Sequence, residues 1–148
     1  MQKITTFLWF DDQAEEAMNF YASIFKNSKV THVTRGPNGA VFWVSADIAG
    51  QTFYALNGGP KFKFTEAISL FVTCEDQTEV DDLWSKLAAD GGSESMCGWL
   101  KDKYGLSWQI IPKALSEYLA KDSSGKVMQA MLGMKKIDIS GLKKALES

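Results

Sequence analysis

Short runs of alternating apolar and polar positions, each followed by a stretch with helical spacing, occur twice along this chain. Residues 4–20, ITTFLWFDDQAEEAMNF, align without a gap on residues 68–84, ISLFVTCEDQTEVDDLW, at a constant spacing of 64 (68 − 4). Ile4 falls on Ile68, Phe7 on Phe71, Asp12 on Asp76, Gln13 on Gln77, Glu15 on Glu79 and Phe20 on Trp84. Each copy reads as an apolar strand and a D-Q-x-E helix start, trailed by strands that end in a Gly-x-x-aromatic segment, GQTFYALN and GLSWQII. Such a unit is too small to bury its sheet alone. The two copies are therefore expected to share a core and to leave a binding cleft between them.

In the first copy, Ile4–Phe10 reads as a strand. Asp12 followed by Glu15 predicts a capping box opening a helix over Gln13–Phe25, with Ala17, Phe20, Tyr21 and Ile24 as its apolar stripe. Val30–Thr34 is a strand, Gly36-Pro37-Asn38-Gly39 a turn, and Ala40–Ile48 with Gln51–Asn57 a hairpin about Ala49-Gly50. The unit is thus a strand, a helix and three strands. Residues 58–66, with Asn57-Gly58-Gly59-Pro60 at their start and two phenylalanines in Lys61-Phe62-Lys63-Phe64, form a connection able to fold over a cleft. The second copy predicts a strand at Ala67–Cys74, a helix capped by Asp76 and Glu79 that runs to Ala89, and strands at Ser95–Leu100 and Leu106–Ile111 that Pro112 terminates. Three short helices follow, at Lys113–Lys121, Lys126–Met134 and Gly141–Glu147. One domain over 1–148 is expected, with modules at 1–57 and 67–112, the connection 58–66 and C-terminal helices in 113–148.

Strand side chains alternate between faces, so parity separates residues that meet a ligand from those beneath a helix. The uniformly apolar set Ile68, Leu70 and Val72 belongs against a helix, which places Thr5, Phe7, Trp9, Ser69, Phe71 and Thr73 on the open face. By the same sorting Val41, Trp43, Ser45 and Asp47 face outward while Phe42, Val44, Ala46 and Ile48 pack inward. Thr52, Tyr54 and Leu56, with their counterparts Ser107, Gln109 and Ile111, complete an open face that is aromatic with neutral polar groups.

Composition narrows the classes. A net charge of −2, with lysines scattered except for Lys135, Lys136, Lys143 and Lys144, lacks the basic face of a nucleic-acid binder. No apolar run approaches a membrane span of about 18 residues, and Met1–Phe10 lacks a secretory leader pattern, so a cytoplasmic location is expected. Cys74 and Cys97 have neither metal nor redox spacing and read as reduced structural residues.

The paired units, the D-Q-x-E helix starts, the N-G-G-P-x-F-x-F connection, the C-G-W-L-K-D-K-Y-G-L-S-W-Q-I-I-P stretch and the V-M-Q-A-M-L-x-M-K-K-I-D-I tail resemble the PhnB-like branch of the vicinal oxygen chelate superfamily. That superfamily embraces glyoxalases, bleomycin-resistance proteins and dioxygenases. The resemblance implies an α+β fold of two tandem βαβββ modules forming a curved mixed sheet with a concave cleft, plus C-terminal helices, and a homodimer. Many members of this branch carry a demethylubiquinone methyltransferase label. No glycine-rich strand-to-helix turn with an acidic residue about 20 positions on is present for a methyl-donor nucleotide. In metal-using members the ligands, usually His or Glu, come from the first and last strands of each unit. Repeat and parity put Thr5, Tyr54, Ser69 and Gln109 at those positions, none of them a good ligand for a divalent metal.

The candidate ligand-binding residues are therefore Thr5, Trp9, Trp43, Tyr54, Ser69, Phe71 and Gln109, with no metal, no cofactor and no assigned catalytic residue. Gln109 offers both donor and acceptor, Tyr54 a hydroxyl, and Trp9 and Trp43 flat faces for stacking. Trp108, opposite Gln109, reads as core. Cys97 as a nucleophile would need His32 as its base, and nothing ties the two; Glu15-Glu16 and Asp81-Asp82 read as solvated helix faces. Asp47 is the one acidic residue that parity puts near the cleft. Three function classes stay open: a metal-free small-molecule binder of the bleomycin-resistance type with an aromatic or quinone-like ligand, an enzyme (metal-dependent lyase or isomerase, or the methyltransferase of the label), and a structural or partner-binding module.

Overall fold

The computed structural model describes residues 2–148. The chain divides into two compact units, residues 1–64 and 65–148. In the first, strand β1 (Thr6–Phe10) leads into helix α1 (Ala14–Ile24), then β2 (Lys29–Arg35), β3 (Val41–Ile48) and β4 (Gln51–Asn57). These strands form a mixed sheet in the order β1-β4-β3-β2, with β1 parallel to β4 and the other pairs antiparallel. In the second, β5 (Leu70–Cys74) leads into α2 (Gln77–Leu87), then β6 (Ser93–Glu94), β7 (Trp99–Lys101) and β8 (Ser107–Pro112), in the order β5-β8-β7-β6 with β5 parallel to β8. The topology of the first sheet thus recurs strand for strand, as the repeat predicts, in an α+β fold. Helices α3 (Lys113–Lys121), α4 (Lys126–Leu132) and α5 (Ile139–Glu147) close the chain. Among the described residues no helix is long and apolar enough to cross a membrane.

Apolar side chains at alternate strand positions explain which face each helix covers. Leu8, Phe10, Val44, Ala46, Ile48, Phe53 and Ala55 are buried with Ala14, Ala17, Met18 and Tyr21 of α1. Cys74, Leu100, Trp108 and Ile110 are buried in the second unit, as are Val80, Leu83, Trp84 and Leu87 of α2. A separate cluster of Ile111, Leu115, Val127, Ile137 and Leu142 ties β8 to the C-terminal helices. Leu70 and Val72 follow this parity only in part, being half-buried where Cys74 is fully enclosed.

Several sequence expectations need correction. Asp12 does not cap α1: the helix begins at Ala14, and the Ala14 N–H donates to Asn57 Oδ1 at 2.8 Å. In α2 the expected cap forms, Asp76 Oδ1 accepting from the Glu79 N–H at 2.9 Å, and the Glu79 carboxylate accepts from the Glu75 N–H at 2.7 Å. Both predicted helices end early, α1 at Ile24 and α2 at Leu87, and Met18 rather than Phe20 completes the buried stripe of α1. Strand β5 starts at Leu70, not Ala67. The strand expected at Ser95–Leu100 is interrupted, because Cys97 and Gly98 take positive φ (59° and 83°) and their N–H groups donate to Met134 and Lys135 carbonyls, both at 2.8 Å. Phe42 is on the helix-facing parity of β3 but is 55% exposed, next to the strand's first residue.

Candidate functional site

On the first sheet, the face away from α1 carries Phe7, Trp9, Trp43, Ser45, Asp47, Thr52 and Tyr54, all exposed or half-buried, while Thr5 lies just before β1, which starts at Thr6 and not at Ile4. The β1–β4 and β3–β4 registers set Phe7 opposite Tyr54 and Ser45 opposite Tyr54. Phe7, Trp43 and Tyr54 consequently make a mutually packed aromatic patch, with ring centroids 4.7 Å apart for Phe7–Trp43, 5.1 Å for Trp43–Tyr54 and 6.2 Å for Phe7–Tyr54. The Trp43 indole N–H donates to Ser45 Oγ at 3.2 Å, which fixes the ring's direction. The Thr52 hydroxyl donates to Asp47 Oδ1 at 2.8 Å, so the acidic residue placed near the site is already engaged.

Trp9 sits on the same face in a different setting. The connection folds back along β1, with Gly58 and Gly59 N–H groups donating to Phe10 and Asp11 carbonyls at 2.9 and 3.1 Å. The Trp9 indole N–H donates to the Gly59 carbonyl at 2.9 Å, and Phe62 packs edge-on at 5.0 Å. A Cβ at Gly58 would come within 2.4 Å of the Trp9 ring, so only glycine lets the backbone lie this close. Phe64 packs on Phe10 at 5.3 Å. The connection therefore covers Trp9, while Phe7 stays 43% exposed.

On the second sheet the corresponding positions carry Phe71 and Gln109, with Ser69 one residue before β5. Gln109 Nε2 donates to Ser69 Oγ at 2.9 Å, and the register puts Gln109 between Phe71 of β5 and Trp99 of β7. Phe71 is 58% exposed. At the other end of β8, Ile111 is covered by the C-terminal helices, so the open part of this face runs from Ser69 and Phe71 to Trp99 and Lys101. Trp108 is core, as expected, and its indole N–H donates to Asp102 Oδ2 at 2.9 Å. Asp102, buried and unforeseen, also accepts from the Tyr104 and Leu106 N–H groups at 2.9 and 3.1 Å, closing the β7–β8 turn. The Asp-x-x-Gly spacing of Lys101-Asp102-Lys103-Tyr104-Gly105 was the available signal, since aspartate side chains bond backbone N–H groups two residues on.

The remaining candidates have surface or structural roles. Glu15 pairs with Arg35 at 3.5 Å, Asp82 with Lys86 at 3.0 Å and Asp81 with Lys136 at 2.8 Å. His32 is exposed on the edge strand β2, and Cys97 lies in the turn before β7. Burial, reinforced by the charges of Glu79 and Asp76, pushes the Cys74 thiol up to about 12. A thiol so held is protonated and unreactive at neutral pH.

The fold's implied groups fit these residues poorly. Thr5, Tyr54, Ser69 and Gln109 offer hydroxyls and one amide, whose Nε2 donates to Ser69. Such donors leave a divalent charge uncompensated. Among the described residues no three His, Cys, Asp or Glu side chains come together as a metal-binding group. The strand-to-helix turns that would meet a methyl-donor nucleotide are Asp11-Asp12-Gln13 and Glu75-Asp76, acidic and without glycine.

Comparison with known proteins gives the family and agrees with the fold. The sequence profile described as 3-demethylubiquinone-9 3-methyltransferase matches residues 2–111. A PhnB protein from Bacillus cereus bearing the same methyltransferase label is 40% identical, with a TM-score of 0.70 over 75% of this chain and 99% of that one. Protein PA1353 from Pseudomonas aeruginosa shares the fold at 16% identity, TM-score 0.63, over 76% and 98% of the two chains. The fosfomycin resistance protein FosX from Listeria monocytogenes does so at 16% identity, TM-score 0.57, over 79% and 97%. Comparison with curated proteins finds no match. The fold is that of the vicinal oxygen chelate superfamily, and the chain belongs to its PhnB-like branch, the family described as 3-demethylubiquinone-9 3-methyltransferase. The matched profile stops before helices α3–α5.

Proposed function

We propose that this chain is a small-molecule binding protein that holds a partly aromatic, quinone-like ligand on the open faces of its sheets without using a metal, and that it works as a homodimer. The observation that carries this reading is the Phe7–Trp43–Tyr54 patch, three packed rings on a face that no helix of its unit covers. Monomeric proteins rarely leave clustered aromatics outward without a use. A mostly apolar surface also needs a few placed polar groups to orient its ligand. Tyr54, whose hydroxyl has no partner among the described residues, and the Ser69–Gln109 pair are suited to that task. Their chemistry favours hydrogen bonds to a carbonyl or hydroxyl over metal ligation.

A thermal-shift screen of quinones, aromatic metabolites and methyl donors, with and without added zinc, nickel and iron, tests this. Stabilisation by an aromatic or quinone compound, unchanged by metal, is the expected result. Stabilisation that requires a metal, or by no compound at all, contradicts it. The family description favours a second reading, a methyl-transferring enzyme. It predicts stabilisation by the methyl donor and transfer of a labelled methyl group to a demethylated quinone.

A further inference from the structure

We propose that a cavity on the open face of the second sheet is a subsite for a small neutral polyol, a single sugar or cyclitol ring. This inference rests on the reading of the open faces as ligand surfaces and names one chemical group that such a surface takes. The cavity, about 240 Å³, is lined by Glu66, Ser93, Glu94, Ser95, Trp99, Lys101 and Ser107, with Leu100 among them. Ser107 is fully enclosed, and its hydroxyl oxygen is the buried side-chain atom without a hydrogen-bond partner among the described residues. Native proteins rarely leave such a group unpaired, because its desolvation is uncompensated.

The first unit supplies an internal control. Phe7 pairs with Tyr54 and Phe71 with Gln109, so Ser107 stands where Thr52 stands in the first sheet, two residues before Tyr54. Thr52 donates to its cross-strand neighbour Asp47 at 2.8 Å. The cross-strand neighbour of Ser107 is Lys101, and its ammonium is turned to Glu66 in an ion pair that holds the Glu66 carboxyl below its ordinary range. The second unit thus withdraws from the buried hydroxyl the partner that the first provides.

The lining sets the ligand's class. Glu66 and Glu94 against Lys101 leave the cavity with one net negative charge, which disfavours an anion. Three serine hydroxyls, carboxylate acceptors and one ammonium donor match groups that both donate and accept, as alcohols do. Trp99, half-buried, offers an apolar wall for the C–H face of a ring. The volume lies below the ~300 Å³ at which drug-sized ligands begin, so one ring is the expected size.

The test is amide-resolved NMR titration of the full chain with D-glucose, D-xylose and myo-inositol, with D-gluconate as the anionic control. The expected result is saturable shifts of the Ser93–Ser95, Trp99–Lys101 and Ser107 amides by at least one neutral polyol. Affinity should fall about tenfold or more in Ser107→Ala, with an apo melting point equal to or above that of the parent, and in Trp99→Leu. Three results overturn the proposal: no shift by any of the three polyols, gluconate binding as tightly as they do, or a polyol-soaked crystal in which Ser107 Oγ holds only an ordered water. A quinone titration of the same sample separates the two readings. Shifts at Phe71 and Gln109 without polyol shifts sink the subsite alone, and silence with both ligands sinks the open-face reading as well.

Discussion

Helix α1 is capped from a distance and helix α2 from its own first turn. In the first unit Asn57, at the end of β4, accepts from the Ala14 N–H and donates through Nδ2 to the Val41 carbonyl at 3.1 Å, so one side chain joins the helix start to two strands. In the second, β8 ends on Pro112, which has no side-chain hydrogen bond to give, and Asp76 with Glu79 does the work locally. The hairpins diverge in the same way. The β3–β4 turn rests on two left-handed residues, Ala49 and Gly50, with φ of 52° and 81°, whereas the β7–β8 turn is held by the buried carboxylate of Asp102. Equivalent corners of a duplicated topology are thus built from different chemistry, and the difference lies in side chains that the repeat alignment does not compare.

The largest effect should come from Asp102. Replacement by alanine leaves the Trp108 indole and two backbone N–H groups without their acceptor inside the second unit, at about 1–3 kcal/mol for each unsatisfied donor. Asp102→Ala is expected to lower stability by about 3 kcal/mol or more in urea unfolding. A loss under about 1 kcal/mol would mean that water replaces the carboxylate and that the two hairpins differ less than their bonds suggest.

Alkaline titration gives a second contrast, because the strand end before α2 carries a thiol and the one before α1 carries Phe10. The folded Cys74 thiol is raised to about 12, so the unfolded chain, ionising near 8.5, releases its proton first. Stability from this group is complete below about pH 8.5 and is lost as pH rises toward 12, with a slope of at most about 1.4 kcal/mol per pH unit. Melting curves of Cys74→Ala between pH 8 and 11 should lack that component. Parallel curves for parent and variant would refute it.

Capping sharpens the comparison at smaller scale. Asp76→Ala should cost about 1 kcal/mol, the usual worth of an N-cap, and Asn57→Ala somewhat more because two bonds go. Hydrogen exchange should then rise locally in the first turn of α2 for the former, and in α1 together with β3 for the latter. Equal and purely local effects would show that Asn57 acts as an ordinary cap.

Much of the architecture was legible because it rests on period and punctuation. Ile4–Phe10 and Ala67–Cys74 announced equivalent strands, which begin at Thr6 and Leu70, Gln51–Asn57 was placed to the residue, and parity put Phe7, Trp43, Tyr54, Phe71 and Gln109 on open faces. What escaped depends on contacts distant in sequence. Asp12 has a capping sequence, but Asn57, 43 residues beyond Ala14, takes its place. The break at Cys97-Gly98 is imposed by the Met134 and Lys135 carbonyls of the C-terminal segment. The covering of Trp9 by Gly59 and Phe62 follows from the course of a connection with no periodicity of its own. Ser107 reads as one more polar strand residue until its cross-strand neighbour is known.

The central claim, that the open faces hold a ligand oriented by neutral polar groups, is tested most directly at Gln109. Isothermal titration of the best aromatic or quinone compound against parent and Gln109→Ala should show about a tenfold or greater loss of affinity, the worth of one used and buried hydrogen-bonding group. The apo melting point should stay nearly unchanged, because Gln109 is half-buried and its side chain bonds Ser69 alone, the ladder bonds of its backbone being kept in the variant. Undiminished affinity together with a lowered apo melting point would contradict the account and make Gln109 a structural strand residue.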